Sequence, residues 1–153
     1  MHITMIGAGY VGLVSGACFA DFGHSVCCVD TDAAKVAALR DGKIPIFEPG
    51  LDEIVAKNVR AGRLSFTTKI AEGLAQAEVV FIAVGTPSRR GDGHADISYV
   101  LAAAKEIAQA ATRPLVVVTK STVPVGTGDE IEKVLAEVKP KAKISVVSNP
   151  EFL

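Results

Sequence analysis

Short apolar runs alternate along the chain with segments of helical periodicity. The runs are four to six residues long and rich in β-branched side chains, and they cover residues 3–6, 25–29, 79–84, 115–119 and 144–147. Uninterrupted apolar runs of this length are typical of strands that are buried on both faces, as in a parallel sheet. A less regular run predicts a sixth, short strand at residues 64–67.

The segments between these runs predict amphipathic helices. For the first helix, the spacing predicts a buried face made of Val11, Val14, Ser15, Cys18, Phe19 and Phe22. For a later helix, it predicts a buried face made of Val100, Leu101, Ala104, Ile107, Ala108 and Ala111. Strands that alternate with helices predict an α/β fold, namely a Rossmann-type, doubly wound, mostly parallel sheet with helices on both faces.

Turn and cap residues support the same division into elements. Gly23 is expected to end the first helix, and Asp32 is expected to cap the next one. Thr127 and Glu130 form a capping-box pattern ahead of the last helix. Residues 44–51 contain two prolines and a glycine, which predicts an ordered loop before a further helix.

Composition places the chain among globular proteins and excludes several classes of partner. With 153 residues, 49% of them hydrophobic and 22% charged, the chain suits one folded domain and does not suit a disordered segment. The net charge of -1 provides no broad basic field, so we expect no nucleic-acid partner and no membrane partner. No apolar run approaches the roughly 18 residues that a membrane helix needs.

The cysteines indicate a reducing compartment. Cys18, Cys27 and Cys28 are odd in number and include a vicinal pair, which is a poor basis for a disulfide framework. We therefore expect a cytoplasmic protein whose cysteines are small buried hydrophobic residues. A metal site is not expected, because the histidines form no cluster with acids or cysteines.

The strongest local motif is a glycine-rich loop between the first strand and the first helix. Gly7 is expected to permit a tight turn, Gly9 to let the backbone approach a pyrophosphate, and Gly12 to allow close packing of helix and sheet. The backbone N–H groups of Tyr10 and Val11 would then face the anion. The pattern predicts a dinucleotide-binding loop, and the alternative is a tight turn that binds nothing.

An acidic residue at the end of the second strand favours NAD over NADP. Asp30 lies eighteen residues after the last glycine of the loop, where a carboxylate can accept the ribose hydroxyls of adenosine and repel a 2′-phosphate. Asp32 is expected to act mainly as a helix cap. Lys35 is expected to be either a solvated surface charge or a contact to the adenosine ribose or a phosphate.

Three further segments follow strands and should meet at the same edge of the sheet. Gly85, Thr86 and Pro87 follow the strand expected beside the first one, at the topological switch point where such sheets bind ligands. Ser121 and Thr122 follow the next strand, and they either hold a ligand oxygen or only cap the following helix. Glu151 follows the last strand, where a carboxylate beside a nicotinamide suits general base catalysis, although a solvated surface glutamate is the more ordinary outcome.

Five segments together resemble the UDP-glucose/GDP-mannose dehydrogenase family. They are GAGYVGLVSGACFADFGHSVCCVDTD, FEPGL, VGTPSRRGDGHADISYV, KSTVPVGT and SNPEFL, and they occur in the family's order over the whole chain. The resemblance implies that residues 1–153 form an N-terminal NAD-binding domain, with a central helix and a C-terminal domain in the rest of a longer chain. It also implies a homodimer of the full-length protein.

The resemblance assigns roles to individual residues. It implies that Val11, Asp30, Lys35, Thr86 and Thr122 contact NAD. It implies that Asn149, Pro150, Glu151, Phe152 and Leu153 lie at the sugar nucleotide. Glu151 matches a glutamate that acts as a base in thioester hydrolysis, and Thr122 matches a residue that helps to place the water.

The reaction implied by the resemblance is a double oxidation. The C6 alcohol of a nucleotide sugar, most simply UDP-glucose, passes through an aldehyde and an enzyme thioester to a carboxylate while two NAD are reduced. The family's thioester cysteine, a lysine and an asparagine lie beyond the first domain. We therefore expect this chain alone to bind NAD weakly and to turn over nothing. The residues alone leave two alternatives, an NAD dehydrogenase of another substrate and a nonenzymatic NAD-binding module.

Overall fold

The computed structural model describes residues 1–89 and 93–151. These residues contain six strands, which are β1 (His2–Ile6), β2 (Ser25–Val29), β3 (Leu64–Thr67), β4 (Val79–Ile82), β5 (Leu115–Thr119) and β6 (Ile144–Ser148). The strands form one sheet in the order β3-β2-β1-β4-β5-β6, and all five neighbouring pairs are parallel. The predicted fold class is confirmed, and so is the predicted position of β4 beside β1.

Within the described residues, six helices connect the strands. They are α1 (Tyr10–Asp21), α2 (Ala33–Arg40), α3 (Leu51–Arg60), α4 (Ile70–Leu74), α5 (Ser98–Ala110) and α6 (Thr127–Val138). One hydrophobic cluster joins the sheet to α1, α2 and α3, and a second joins it to α4, α5 and α6. This two-sided arrangement directs the carboxyl ends of β1, β2, β4, β5 and β6 to one edge of the sheet, where the predicted site residues lie.

The buried face of α1 differs from the predicted one. Its buried residues are Gly12, Leu13, Gly16, Ala17 and Ala20, whereas the predicted Phe22 is 77% exposed. A Cβ on Gly16 would lie 2.9 Å from the sulfur of Cys28, so the helix axis lies close to the sheet. Small side chains therefore form the contact and the larger predicted ones are displaced to its margins, which a hydrophobicity pattern does not register.

Two further local predictions are wrong, the end of β4 and the capping box of α6. β4 ends at Ile82 and not at Val84, because Ala83 runs against the glycine loop, where its carbonyl oxygen would lie 2.5 Å from a Cβ on Gly7. The capping box is not formed, since Gly126 precedes α6 and the hydroxyl of Thr127 donates to the carbonyl of Pro124 at 2.8 Å.

Other local predictions are confirmed. The side chain of Asp32 accepts from the backbone N–H of Lys35 and caps α2. Gly23 follows α1 with φ +97° and its N–H donates to Ala20, which ends the helix in a left-handed turn.

Across residues 1–89 and 93–151, no helix combines the length and the apolar character that crossing a membrane requires.

Candidate functional site

The glycine loop contains two positions where the fold itself excludes a side chain. Gly7 has φ +101°, and Gly12 would place a Cβ 1.9 Å from the carbonyl oxygen of Gly7. It would also lie 3.0 Å from the carbonyl carbon of Gly7 and 3.3 Å from the Cβ of Ala83. Gly12 therefore allows α1 to close onto the loop and onto the end of β4, which combines the tight turn and the close packing predicted for these glycines.

Gly9 is different, because a Cβ there would meet no atom within 4 Å. Its backbone has φ −77°, which any residue can adopt. The first intrahelical hydrogen bond of α1 runs from the N–H of Leu13 to the carbonyl of Gly9 at 2.9 Å. The N–H groups of Tyr10 and Val11 therefore precede the helical ladder and point out of the helix end, where an anion can accept from them.

One end of the site, named here the β2 end, consists of Asp30 and its donors Ala8, Asp32 and Lys35. The Oδ2 atom of Asp30 accepts from the N–H of Ala8 and from the ammonium of Lys35, both at 2.9 Å. Its Oδ1 atom accepts from the N–H of Asp32 at 3.0 Å. Lys35 is thus an ion-pair partner of Asp30 and not a freely solvated charge.

The network keeps Asp30 ionised although it is partly buried. Burial raises the pKa of Asp30. The hydrogen bonds from Lys35 and from the backbone N–H groups of Asp32 and Ala8 lower the pKa by more than burial raises it, so the pKa lies below the usual value. The result is a fixed carboxylate beside the glycine loop. A small cavity of about 160 Å³ lies next to it, with apolar walls from Val29, Ile70 and Val84.

The other end, named here the β5–β6 end, consists of Thr86, Lys120, Thr122 and Glu151. The hydroxyl of Thr86 donates to the carbonyl of Thr122 at 3.0 Å. The hydroxyl of Ser121 donates to the carbonyl of Val84 at 2.7 Å, which ties the loop after β5 to the loop after β4. The hydroxyls of Thr86 and Ser121 thus hold these loops together, so both hydroxyls donate to the protein's own backbone.

Glu151 is held by two residues of the loop after β5, Lys120 and Thr122. The hydroxyl of Thr122 donates to the backbone carbonyl of Glu151, and the ammonium of Lys120 contacts Oε2 of its carboxylate. The backbone N–H of Glu151 also donates to the carbonyl of Lys120 at 3.2 Å. A crevice of about 260 Å³ runs from these residues to Gly9 and Val11 at the start of α1.

The structure brings most of the predicted site residues together. Gly9, Tyr10, Val11, Gly85, Thr86, Ser121, Thr122 and Glu151 line the crevice at the β5–β6 end. Gly7 and Asp30 line the cavity at the β2 end. Among the described residues, five predicted site residues are not part of either wall, namely Gly12, Lys35, Pro87, Asn149 and Pro150. Phe152 and Leu153 lie outside the described residues.

Sequence reasoning missed two charged side chains at the site. Lys120 is the first residue of the segment KSTVPVGT, and its position directly after a buried strand is the signal that could have identified it. Glu48 accepts a hydrogen bond from the hydroxyl of Tyr10, and this bond raises the pKa of Tyr10. Glu48 lies in the proline-containing loop, and no local pattern connects it to Tyr10, which is 38 residues away.

The cysteines do not supply a nucleophile to the crevice. Cys28 is fully buried in β2, and burial raises the pKa of its thiol. Cys27 shares that strand and Cys18 lies within α1, and none of the three lines the crevice. Within the described part of the chain, no group of His, Cys, Asp and Glu side chains is arranged to hold a metal ion.

Comparison with known proteins gives a family match over the whole chain. The family model described as the NAD binding domain of the UDP-glucose/GDP-mannose dehydrogenase family matches residues 1–153. A UDP-glucose 6-dehydrogenase of Rhizobium meliloti is 68% identical over 153 residues, which are 100% of this chain and 35% of that protein. The chain thus spans about a third of the length of the curated relatives it matches.

Solved structures agree with this match. A ternary complex of GDP-mannose dehydrogenase from Pseudomonas aeruginosa is similar with a TM-score of 0.94 and 36% identity, over 100% of this chain and 36% of that chain. A UDP-glucose dehydrogenase from Pyrobaculum islandicum has a TM-score of 0.92 and 43% identity, over 99% of this chain and 36% of that chain.

Proposed function

Because the chain belongs to the UDP-glucose/GDP-mannose dehydrogenase family, as its NAD-binding domain, we propose that the protein containing it oxidises the C6 alcohol of a nucleotide sugar to the carboxylate and reduces two NAD. UDP-glucose is the proposed sugar nucleotide, supported by 68% identity to a UDP-glucose 6-dehydrogenase. The observation that carries the proposal is the single edge of the sheet on which the glycine loop, Asp30, Thr122 and Glu151 all lie.

The residues of the β2 end fit the adenosine half of NAD. Gly9 leaves open space in front of the N–H groups of α1, as the approach of a pyrophosphate requires. Asp30 is a fixed, ionised carboxylate that can accept ribose hydroxyls and would repel a 2′-phosphate. Lys35 would remain beside Asp30 and add a positive charge near the ribose.

The residues of the β5–β6 end would hold the reacting half. Thr86, Thr122 and Glu151 line the crevice that begins at the helix N-terminus, so nicotinamide and sugar carbon would meet there. Bound NAD supplies the electron acceptor for each of the two oxidations. The protein's own contribution is to orient the sugar carbon and to handle protons.

We assign the base of the last step to Glu151. Its carboxylate would accept a proton from a water molecule, the water oxygen would bond to the thioester carbon, and the C–S bond would break to release the carboxylate product. Thr122 would help to place the water. The sulfur would come from beyond this chain, because the three cysteines do not line the crevice.

The proposal extends to the whole protein's organisation. Residues 1–153 would be the NAD-binding domain of a longer chain, in which a central helix and a C-terminal domain follow. The full-length protein would be a homodimer with no nucleic-acid or membrane partner, and the net charge of -1 on residues 1–153 is in agreement with the absence of such partners. A cytoplasmic location is supported by three free cysteines.

The test is the yield of NADH per nucleotide sugar consumed by the full-length protein. UDP-glucose, GDP-mannose and UDP-N-acetylglucosamine are offered separately, each with NAD or with NADP. The expected result is two NADH per UDP-glucose, with NAD preferred over NADP. One NADH per sugar would contradict the thioester step. No NADH with any sugar would contradict the proposed oxidation and favour a dehydrogenase of another substrate or a binding module.

A further inference from the structure

Lys120 is a charged residue in the crevice that the reaction described above does not use. It is the first residue after β5, and its side chain is 14% exposed. A lysine that is removed from water to this extent requires a partner, because burial penalises the charged form. Its partner is the carboxylate of Glu151, whose side chain is 35% exposed.

The backbone fixes the position of Lys120 independently of its side chain. Its N–H donates to the carbonyl of Ile82 in β4 at 2.8 Å, and its carbonyl accepts from the N–H of Glu151 at 3.2 Å. Lys120 therefore links three neighbouring strands at the edge where the site lies. Its ammonium and its carbonyl hold Glu151 by the side chain and the backbone together.

The contact leaves one oxygen of the carboxylate available. Lys120 contacts Oε2 of Glu151, and within the part of the chain that the structure describes Oε1 accepts no hydrogen bond. The described titratable side chains that line this crevice are Tyr10, Lys120 and Glu151. Since the Tyr10 hydroxyl is engaged with Glu48, Lys120 is the cation that faces Glu151.

We propose that Lys120 is a positioning residue, whose contact with Oε2 of Glu151 directs the carboxylate into the crevice. This inference rests on the proposed function. A carboxylate that is already held by an ammonium and by its own backbone does not have to be ordered during the reaction, and such pre-orientation lowers the barrier of the step in which the group takes part. Oε1 remains free to accept the proton of the attacking water.

The consequence is a loss of kcat without a matching change in binding. Without Lys120, the carboxylate of Glu151 would no longer be held in one orientation, and a misplacement of about 1 Å at a reacting group can cost about 10²-fold in rate. We therefore expect kcat to fall by about 10²-fold, while the KM for UDP-glucose and the affinity for NAD stay near the wild-type values.

The experiment compares three variants of the full-length protein. Lys120→Met removes the charge, Lys120→Arg retains it, and Lys133→Met makes the first change at an exposed lysine of α6. The kcat and the KM for UDP-glucose are measured at saturating NAD, and the affinity for NAD and the unfolding temperature are measured alongside.

We expect a reduced kcat at nearly unchanged KM for Lys120→Met, and a kcat near that of the wild type for Lys120→Arg and Lys133→Met. A wild-type kcat in a folded Lys120→Met protein, or a loss of kcat accompanied by equal losses of NAD affinity and unfolding temperature, would overturn the inference and leave Lys120 as a structural residue. If Lys120→Met does not fold, Lys120→Gln carries the same expectation. A wild-type protein that makes no NADH from any nucleotide sugar would instead contradict the proposed function.

Discussion

The β2 end and the β5–β6 end of the site differ in how far this chain completes them. Asp30 at the β2 end receives three hydrogen bonds from Ala8, Asp32 and Lys35, which lie close together in sequence or face it across the glycine loop. Glu151 at the β5–β6 end has Lys120 on one oxygen and leaves the other available. We therefore expect this domain to bind NAD by itself, whereas the chemistry needs further groups.

The largest expected effect tests the chemical end. Glu151→Gln in the full-length protein removes the proposed base with little change in size, and we expect kcat to fall by about 10² to 10⁴-fold because general base catalysis contributes that much. The affinity for NAD should change little, since the adenosine half binds at the other end. Steady-state kinetics and NAD titration measure both quantities. A comparable loss of NAD affinity would show that the two ends are not separate.

The next effect tests the binding end in the chain of residues 1–153. Asp30→Asn removes the charge that is proposed to accept the ribose hydroxyls of NAD, and hydrogen bonds to a charged group contribute about 1.5–3 kcal/mol. We expect the affinity for NAD to fall by roughly 10- to 150-fold. The preference for NAD over NADP should fall as well, because the repulsion of a 2′-phosphate is lost.

Asp41→Asn is the matched control, because Asp41 is exposed at the end of α2 and outside the two cavities. Calorimetric titration of both variants gives the comparison. Equal losses of affinity for Asp30→Asn and Asp41→Asn would contradict a specific role for Asp30.

A smaller effect concerns the link between the loops of the β5–β6 end. Thr86→Val keeps the shape of the side chain but removes the hydrogen bond to the carbonyl of Thr122. We expect the free energy of unfolding to fall by about 0.5–1.5 kcal/mol in urea denaturation of the chain. Thr112→Val, at an exposed threonine after α5, should leave that free energy nearly unchanged. Similar values for both variants would mean that the bond contributes nothing.

The smallest expected effect is a pH dependence of stability at the β2 end. The folded state lowers the pKa of Asp30 below its unfolded value, so the stabilisation is fully present above the unfolded pKa near 4. It is lost as the pH falls through the folded pKa. Thermal unfolding from pH 6 down to pH 2 should therefore show a smaller acid loss for Asp30→Asn than for the wild type. Parallel curves would contradict the lowered pKa.

Much of the fold followed from the sequence because its determinants are local. The strands β2, β3 and β5 begin and end where apolar runs begin and end. Gly23 and Asp32 act at the helix ends for conformational reasons that a single residue carries. The face of α1 did not follow, because close approach of a helix to a sheet depends on what small side chains leave empty.

The site divides in the same way. The glycine loop and Asp30 could be predicted because their spacing lies within one β-strand, helix and β-strand unit. The pairing of Lys120 with Glu151 joins residues 31 positions apart through two neighbouring strands. The family resemblance identified Glu151, but its partner became visible only when the sheet order and the side chains were known.

The three glycines of the loop are constrained for two different reasons, the folding of the domain and the binding of its ligand. Gly7 and Gly12 are required by the backbone around them, whereas Gly9 leaves a space that no part of the described chain needs. A duplicated copy of this domain could therefore lose its cofactor through one substitution at residue 9 and still fold. A substitution at residue 12 would instead prevent the domain from folding. Among diverged relatives, position 9 should report whether the ligand is retained, and position 12 only whether the domain survives.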